Sequence, residues 1–511
     1  MNRICDRRSR EYQSGEESEP SKERLLHCLK LDRQMTKSIK TTLAFVVAFI
    51  ALFEAAFFRV NMLEFARLDD FAGLLNVRTN TLLNGVFRTS FQAGRTIPAI
   101  FQSALILLAE SVSDLKFLRF IATASLALGG AIIALFIWSL SFKKNMGTLV
   151  LAACVGVVAT TTTSAPSAST WAILAVPLLA LPLALAGGVV ATTNRTYCGL
   201  PWWALSIILV FASAFTYQQF TPLAFLPVGM WLTVQCISRQ KIQLRRAVLI
   251  IASVFMSLLV NAATVFLIGD GAQERVLRGT LSERLRWFIG TYVPRTIDLF
   301  IPATRETGML SLLILVVALL LPVVMGIRFL SVLVSGIASW GICAAVAFPA
   351  EFWASYRLVH PAQIALWTSA AFGLFILLSQ FDKKSISIFA AVGSLLLVFQ
   401  SQDRAWRYVA LPNHDDWATT KCLILENPNV NTFVVSEWNS SNSSVHSYDE
   451  YGMVPSNYDW TFDLSVRIAR LELNADGESV DTSIKPEMIS VEDSRSLEPG
   501  TYIAVTRSSC R

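Results

Sequence analysis

Charge is what this sequence has least of. Asp, Glu, Lys and Arg make up 16% of its 511 residues, hydrophobic residues make up 53%, and the mean hydropathy is +0.51. A soluble protein of this size needs a far more polar surface, so a water-soluble globular fold is excluded. Histidine is scarce too: His27, His360, His414 and His446 lie far apart, with no HExxH or paired Cys/His spacing, which argues against a zinc hydrolase. Neither a Walker A loop nor a dinucleotide fingerprint is present, which argues against an ATPase or a soluble nucleotide-sugar enzyme. Internal repeats are absent, and the one biased tract, Thr160 to Thr170, reads as a small-residue outer turn. Ionisable residues are nearly absent inside the apolar runs, with Glu54 the main exception, and this weighs against an ion-coupled transporter.

What is present is a series of apolar blocks of about 17 to 23 residues, the length that crosses a bilayer core. They lie near 41 to 60, 118 to 141, 147 to 163, 170 to 191, 202 to 216, 219 to 236, 246 to 268, 308 to 326, 329 to 348, 363 to 380 and 385 to 401. The fold class is therefore an α-helical polytopic membrane protein of about eleven transmembrane helices. The segments 202 to 216 and 219 to 236 are short enough to form, instead, one helical hairpin dipping into the membrane. Residues 1 to 40 form a polar cytoplasmic tail, and the first apolar run lacks a small-residue cleavage site, so it is read as a retained span. Lys143-Lys144, Arg195, the group Arg239 to Arg246, Arg328 and Lys383-Lys384 then all fall on the inner side. The net charge of +6 thus reports topology rather than a nucleic-acid partner.

This topology leaves outer loops at 60 to 117, 269 to 307 and 349 to 362, and an outer tail from 402. The stretches Ile97 to Glu110 and Ser282 to Phe300 read as membrane-lying or re-entrant helices, the second anchored by Trp287, Phe288 and Tyr292. Residues 402 to 511 are polar, with β-like runs at Thr432 to Trp438 and Thr501 to Arg507, and are read as a small extracytoplasmic α/β domain. Of the eight cysteines only Cys422 and Cys510 fall in outer soluble sequence; they are either disulfide-bonded or two free thiols.

The chemistry-bearing candidate is Asp69-Asp70, just outside the first span and flanked by Leu68 and Phe71. An acidic pair there is either solvated loop charge, a general base with raised proton affinity, or a ligand for a divalent cation. If the loop is helical, neighbours point about 100° apart and only one of the pair faces a cavity, with a slight preference for Asp70. The membrane-proximal outer loops use arginine and no lysine over 60 to 115, 269 to 307 and 349 to 362, among them Arg95, Arg284, Arg286, Arg295 and Arg357. Guanidinium grips phosphate through paired donors, so the bias suits either a phosphate-bearing donor or anchoring to anionic lipid. Tyr217-Gln218-Gln219 at the outer end of a span and Glu351, Trp353, Tyr356, Arg357 and His360 in the last loop are either interfacial belts or sugar contacts. Asp449-Glu450-Tyr451-Gly452 reads first as a turn and second as an acidic ligand site.

Asp69-Asp70 after the first span, Phe91-Gln92-Ala93-Gly94-Arg95 opening an apolar segment, Asp114-Leu115 and Leu118-Arg119 entering the second, with Tyr217-Gln218 and Trp287-Phe288, resemble the pattern of polytopic GT-C glycosyltransferases. The likeness is especially to the serotype-converting glucosyltransferases that modify O-antigen, and the resemblance covers roughly residues 41 to 400. The resemblance implies an inverting enzyme of the bacterial inner membrane that takes a sugar, glucose-like, from a polyprenyl-phosphate donor. The acceptor would be a surface glycan or glycolipid of the lipopolysaccharide type, on the outer face. Asp69 or Asp70 would deprotonate the acceptor, with or without Mg or Mn, while Arg95, Arg284, Arg286, Arg295 and Arg357 would hold the donor phosphate. Tyr217, Gln218 and His360 would contact sugar. The competing readings are a polysaccharide polymerase or ligase, a non-catalytic lipid-linked-sugar transporter or flippase, and a scaffold with a sensory tail.

Overall fold

The structure, a computed structural model, describes residues 19–81, 83–194, 196, 199–268, 280–300, 305–324, 330–348, 356–381, 384–429, 432–434, 454, 459–482, 487–489 and 502–504. The protein is an α-helical membrane protein. Among the described residues seven helices are long and apolar enough to cross a bilayer: Lys40–Met62, Val112–Leu140, Ala172–Ala191, Trp202–Ile237, Leu244–Leu267, Arg357–Leu378 and Lys384–Glu426. Shorter apolar helices follow the predicted runs at Met146–Thr160, Glu306–Pro322 and Val332–Ala347, and Thr96–Ile106 forms within the first long loop. By internal contacts the chain divides at Ala51, and everything described below belongs to the unit from Leu52 onward.

The two short predicted segments after 202 join in one helical stretch with a break in it. Tyr217 takes an extended conformation (φ −161°, ψ 103°), Gln218–Ala224 winds as 3-10 turns, and the α-helix resumes at Phe225–Ile237. Pro222 lies inside the break, where its missing N–H and ring bulk disfavour regular α geometry. Elsewhere small residues let backbones meet. A Cβ at Gly156 of Met146–Thr160 would strike the carbonyl of Gly130 in Leu115–Leu140, so only glycine permits that approach.

Two devices organise the first loop. Arg119, fully buried in Leu115–Leu140, donates to the carbonyls of Phe65 (2.8 Å), Leu63 (2.6 Å) and Asn61 (3.1 Å) and lies 4.1 Å over the Phe65 ring. It satisfies the Asn61 carbonyl that the helix ending at Met62 leaves open and the two carbonyls that follow in the loop, and its charge complements that negative helix end. The second device is the tail. The helix Lys384–Ala405 continues through a π turn, Trp406–Ala410, into Leu411–Glu426, so position 402 lies inside a continuous helix.

Beyond it Asp459–Ala475 packs Phe462, Val466, Ala469 and Leu473 into a core shared with Phe71, Leu74, Val112 and Trp417. Lys421 Nζ bridges Glu64 (3.2 Å) and Glu472 (2.8 Å), and Glu472 also accepts from the Val112 N–H (2.7 Å). The tail helices are thus tied to both ends of the loop from 60 to 117. Three short strands, Thr432–Val434, Glu487–Ile489 and Tyr502–Ala504, form a parallel sheet with Thr432–Val434 at its centre. Two of them fall within the β-like runs read from the sequence.

Candidate functional site

The helix Leu68–Arg78 carries both aspartates, and its first turn gives them different fates. Asp70 is buried; its Oδ2 accepts from the Arg67 N–H (3.0 Å) and its Oδ1 from the Ile173 N–H (2.8 Å). It therefore closes the helix N-terminus and pins it to the chain at Ile173. Burial pushes its carboxyl up to about 6, opposed by those two backbone donors and by the Arg119 and Arg67 charges. Asp69 lies one position, about 100°, around the helix. Its side chain is 46% exposed and meets Arg357 Nη1 at 3.9 Å. The geometry reverses the slight preference for Asp70: the residue that faces outward is Asp69. A paired metal site does not fit either, since both Asp70 oxygens are committed to backbone N–H groups and the two carboxylates diverge.

Arg357 lies 4.0 Å over the ring of Trp171, and Arg67 lies 4.2 Å from the same ring while donating to the Ser167 carbonyl (2.7 Å). Trp171 follows Thr160 to Thr170, read from sequence as a small-residue outer turn; the structure forms this segment from turns and a short helix, Ala165–Ser169, and buries residues 161 to 171 throughout. Thr163 and Ser164 can be buried there because their hydroxyls find partners, whereas the Thr162 hydroxyl is buried without one. The Thr163 hydroxyl donates to the Asp298 carbonyl, and the Ser164 hydroxyl (2.7 Å) and N–H (3.1 Å) donate to Gln363 Oε1. Gln363 Nε2 in turn donates to the Arg295 carbonyl (2.7 Å) and to Thr163 Oγ1 (3.0 Å).

Next to this floor runs a narrow crevice lined by Ala168, Leu174, Pro177, Tyr217, Phe220, Arg357 and His360, among others. His360 is fully buried, edge-on to Phe220 (5.4 Å between centroids), and neither ring nitrogen has a hydrogen-bond partner. A buried imidazole always carries one donor and one acceptor, so two orphaned nitrogens point to a polar group that completes them. Tyr217 packs on Phe220 at 5.7 Å, and the Arg95 guanidinium lies 4.7 Å over Tyr217.

Arg95 is delivered by a turn in which Gly94 takes φ +73°, a conformation that L side chains avoid. The turn is held by Gln218, whose Nε2 donates to the Ala93 carbonyl (2.7 Å), and by Asn261, whose Nδ2 donates to the Gly94 carbonyl (2.6 Å). Gln218 Nε2 also meets Asn261 Oδ1 at 3.1 Å, so this nitrogen serves the turn rather than a sugar.

Of the residues singled out in the sequence, Asp69, Arg357, His360, Tyr217, Gln218 and Arg95 thus form a connected series. The others stand apart from it. Arg284 is buried and donates to the Phe348 carbonyl (3.1 Å), Arg286 is exposed, and Arg295 is tied in through its backbone. Asp298, near Arg295, has its carboxyl pushed up to about 6 by burial, opposed by the Arg295 charge. Cys422 is disulfide-bonded, while its expected partner Cys510, the residues Glu351 and Trp353, and the run Asp449 to Gly452 lie outside the described residues. Sequence reasoning missed Trp171, Gln363, Phe220 and Asn261. The signal for Asn261 was an amide in the middle of an apolar helix, and for Trp171 a tryptophan closing a run of hydroxyls. Compared with known proteins, no family model and no curated protein matches the chain, so the reading of the site rests on its own geometry.

Proposed function

We propose that the protein is an integral-membrane glycosyltransferase of the GT-C kind, moving a glucose-like hexose from a polyprenyl-phosphate carrier to a surface glycan or glycolipid. The observation that supports it best is one half-exposed carboxylate, Asp69, beside a guanidinium, Arg357, which itself lines a crevice with aromatic walls and an unpartnered histidine. In this reading Asp69 removes the proton from the acceptor hydroxyl as its oxygen attacks the anomeric carbon. The bond to the carrier phosphate breaks, the electron pair leaves on that phosphate, and the proton stays on Asp69. Negative charge grows on the leaving oxygen, where Arg357 and Arg95 stabilise it more than they stabilise the bound donor. Asp70 holds the helix that aims Asp69. A divalent cation such as Mg or Mn would find only Asp69 of the pair available.

The same reading puts the site on the outer face of a bacterial inner membrane. It takes the seven long helices, the three shorter ones at Met146–Thr160, Glu306–Pro322 and Val332–Ala347, and the broken stretch Trp202–Ile237 counted twice, as eleven crossings. The tail from Leu411 is then an outer α/β unit clamped on the first loop.

The test is mass spectrometry of surface glycans and polyprenyl-linked sugars in a host lacking the protein, complemented with wild type or Asp69→Asn at matched membrane abundance. Wild type should restore one sugar, and Asp69→Asn should leave its lipid-linked donor accumulated, because a general base supplies about 10²- to 10⁴-fold in rate. Full rescue by Asp69→Asn refutes the assignment. A transporter reading draws on one observation, the Glu54 carboxyl oxygens buried within the first span beside the Asn61 side chain. Rescue by Asp69→Asn together with failure of Glu54→Gln would favour it.

A further inference from the structure

Asn261 lies in the middle of Leu244–Ile268, a helix whose neighbouring positions are apolar, and it is buried. Its amide makes three contacts. Nδ2 donates to the Gly94 carbonyl (2.6 Å) and to the Ala214 carbonyl (3.3 Å), while Oδ1 accepts from Gln218 Nε2 (3.1 Å). It therefore joins three separate parts of the chain: the Ala93-Gly94-Arg95 turn, the end of Trp202–Tyr217, and the start of the 3-10 break at Gln218. A fully satisfied polar cluster of this kind, away from water, fixes one geometry, because every alternative leaves a buried donor or acceptor unpaired. What it fixes is a turn that only glycine makes without strain. Gly94 is at φ +73°, and a Cβ there would strike Asn261 Oδ1, so turn and amide are fitted to each other. The residue that follows is Arg95, whose guanidinium is placed over Tyr217 and whose Nε is buried without a hydrogen-bond partner.

We infer that Asn261 is a positioning residue: it locks the Gly94 turn so that Arg95 presents its guanidinium to the phosphate of the lipid-linked donor. The inference rests on the proposed function for what Arg95 binds, and adds to it the element that aims Arg95. Asn261 touches no substrate in this account and acts only through Arg95.

The experiment measures binding of undecaprenyl monophosphate to the full-length protein in nanodiscs, for wild type, Arg95→Ala, Asn261→Ala and the double variant. Gly94→Ala serves as a second route to the same disturbance from the opposite side of the contact. Each variant is checked by thermal midpoint and elution as a single species. A displacement of about 1 Å in a positioned group costs up to about 100-fold. Asn261→Ala and Gly94→Ala should therefore each weaken binding by about 10- to 100-fold, and the double variant should bind no more weakly than Arg95→Ala alone. Arginine-selective labelling should also modify Arg95 faster in Asn261→Ala than in wild type, a readout independent of binding.

Wild-type affinity in both Asn261→Ala and Gly94→Ala, with Arg95→Ala impaired, would overturn the inference while leaving the proposed function standing. Additive losses in the double variant would overturn it too, since Asn261 would then act apart from Arg95. Wild-type affinity in Arg95→Ala would instead remove Arg95 from the proposed donor site. If Asn261→Ala fails to fold, Gly94→Ala carries the test, read by its binding and by faster labelling of Arg95 in that variant than in wild type.

Discussion

Replacing each aspartate of the Asp69-Asp70 pair by asparagine separates a residue that holds the fold from one that is free to do chemistry. In Asp70→Asn the amide nitrogen faces one of the two N–H groups, Arg67 or Ile173, that the carboxylate now accepts. An orphaned buried donor costs about 1–3 kcal/mol. The Arg119 and Arg67 charges oppose the burial of the carboxylate, and the rise of its pKa from 3.8 to about 6 is their net. The destabilisation expected from the orphaned donor is about 1–3 kcal/mol, enough to lower membrane abundance several-fold.

Asp69→Asn breaks only a long, half-exposed contact of 3.9 Å, worth less than about 1 kcal/mol. Thermal unfolding of the two purified variants in one detergent, beside sugar transfer in complemented cells, gives the comparison. Asp70→Asn should melt well below wild type, and Asp69→Asn should melt with wild type but fail in transfer. A wild-type midpoint for Asp70→Asn would refute the structural role assigned to it.

Three further outcomes follow. The carboxyl of Asp70 is raised by folding, so its stabilising contribution is complete below 3.8 and is lost as pH rises through about 6; on going from pH 7 to pH 5 wild type should gain about 1 kcal/mol relative to Asp70→Asn. A pH dependence identical in both proteins would contradict this. Lys421→Met leaves the buried Glu472 and the half-exposed Glu64 without their shared cation, so hydrogen exchange should rise in Asp459–Ala475 and in Leu68–Arg78 together; unchanged exchange in the second helix would break the proposed link between tail and site. Trp171→Leu removes the ring on which Arg67 and Arg357 both lie, contacts worth about 0.5–2 kcal/mol each, and should reduce transfer with Trp171→Phe partly restoring it; equal activity in Leu and Phe variants would mean that the ring only fills space.

Membrane embedding was legible in the sequence because it depends on a property summed over many residues: a run of about 20 apolar side chains crosses a bilayer whatever its neighbours do. The apolar runs reappear as long or short helices for the same reason, and the two runs between 202 and 237 were short enough to suggest one interrupted hairpin. The pairing of Asp69 with Asp70 was legible as a motif, and helical geometry already required the two to diverge. Which one turned outward was not. That was settled by Ile173, about a hundred positions away, whose N–H takes one Asp70 oxygen, and by Arg357, nearly three hundred positions away, which meets Asp69.

The hydroxyl-rich turn Thr160 to Thr170 shows the same limit: composition marks it as a turn, while its burial depends on partners brought in from Arg67, Asp298 and Gln363. The tail beyond 402 read as a separate outer domain because its polarity changes there. The polarity change is real, but Phe462, Val466, Ala469 and Leu473 bury against Phe71 and Val112 of the first loop. Local sequence thus determined what each segment is, since propensity and hydropathy act over a few turns of chain. The tertiary structure decided which polar atoms are satisfied and which face the crevice, because hydrogen bonds and ion pairs act over about 3–4 Å and depend on where distant segments meet.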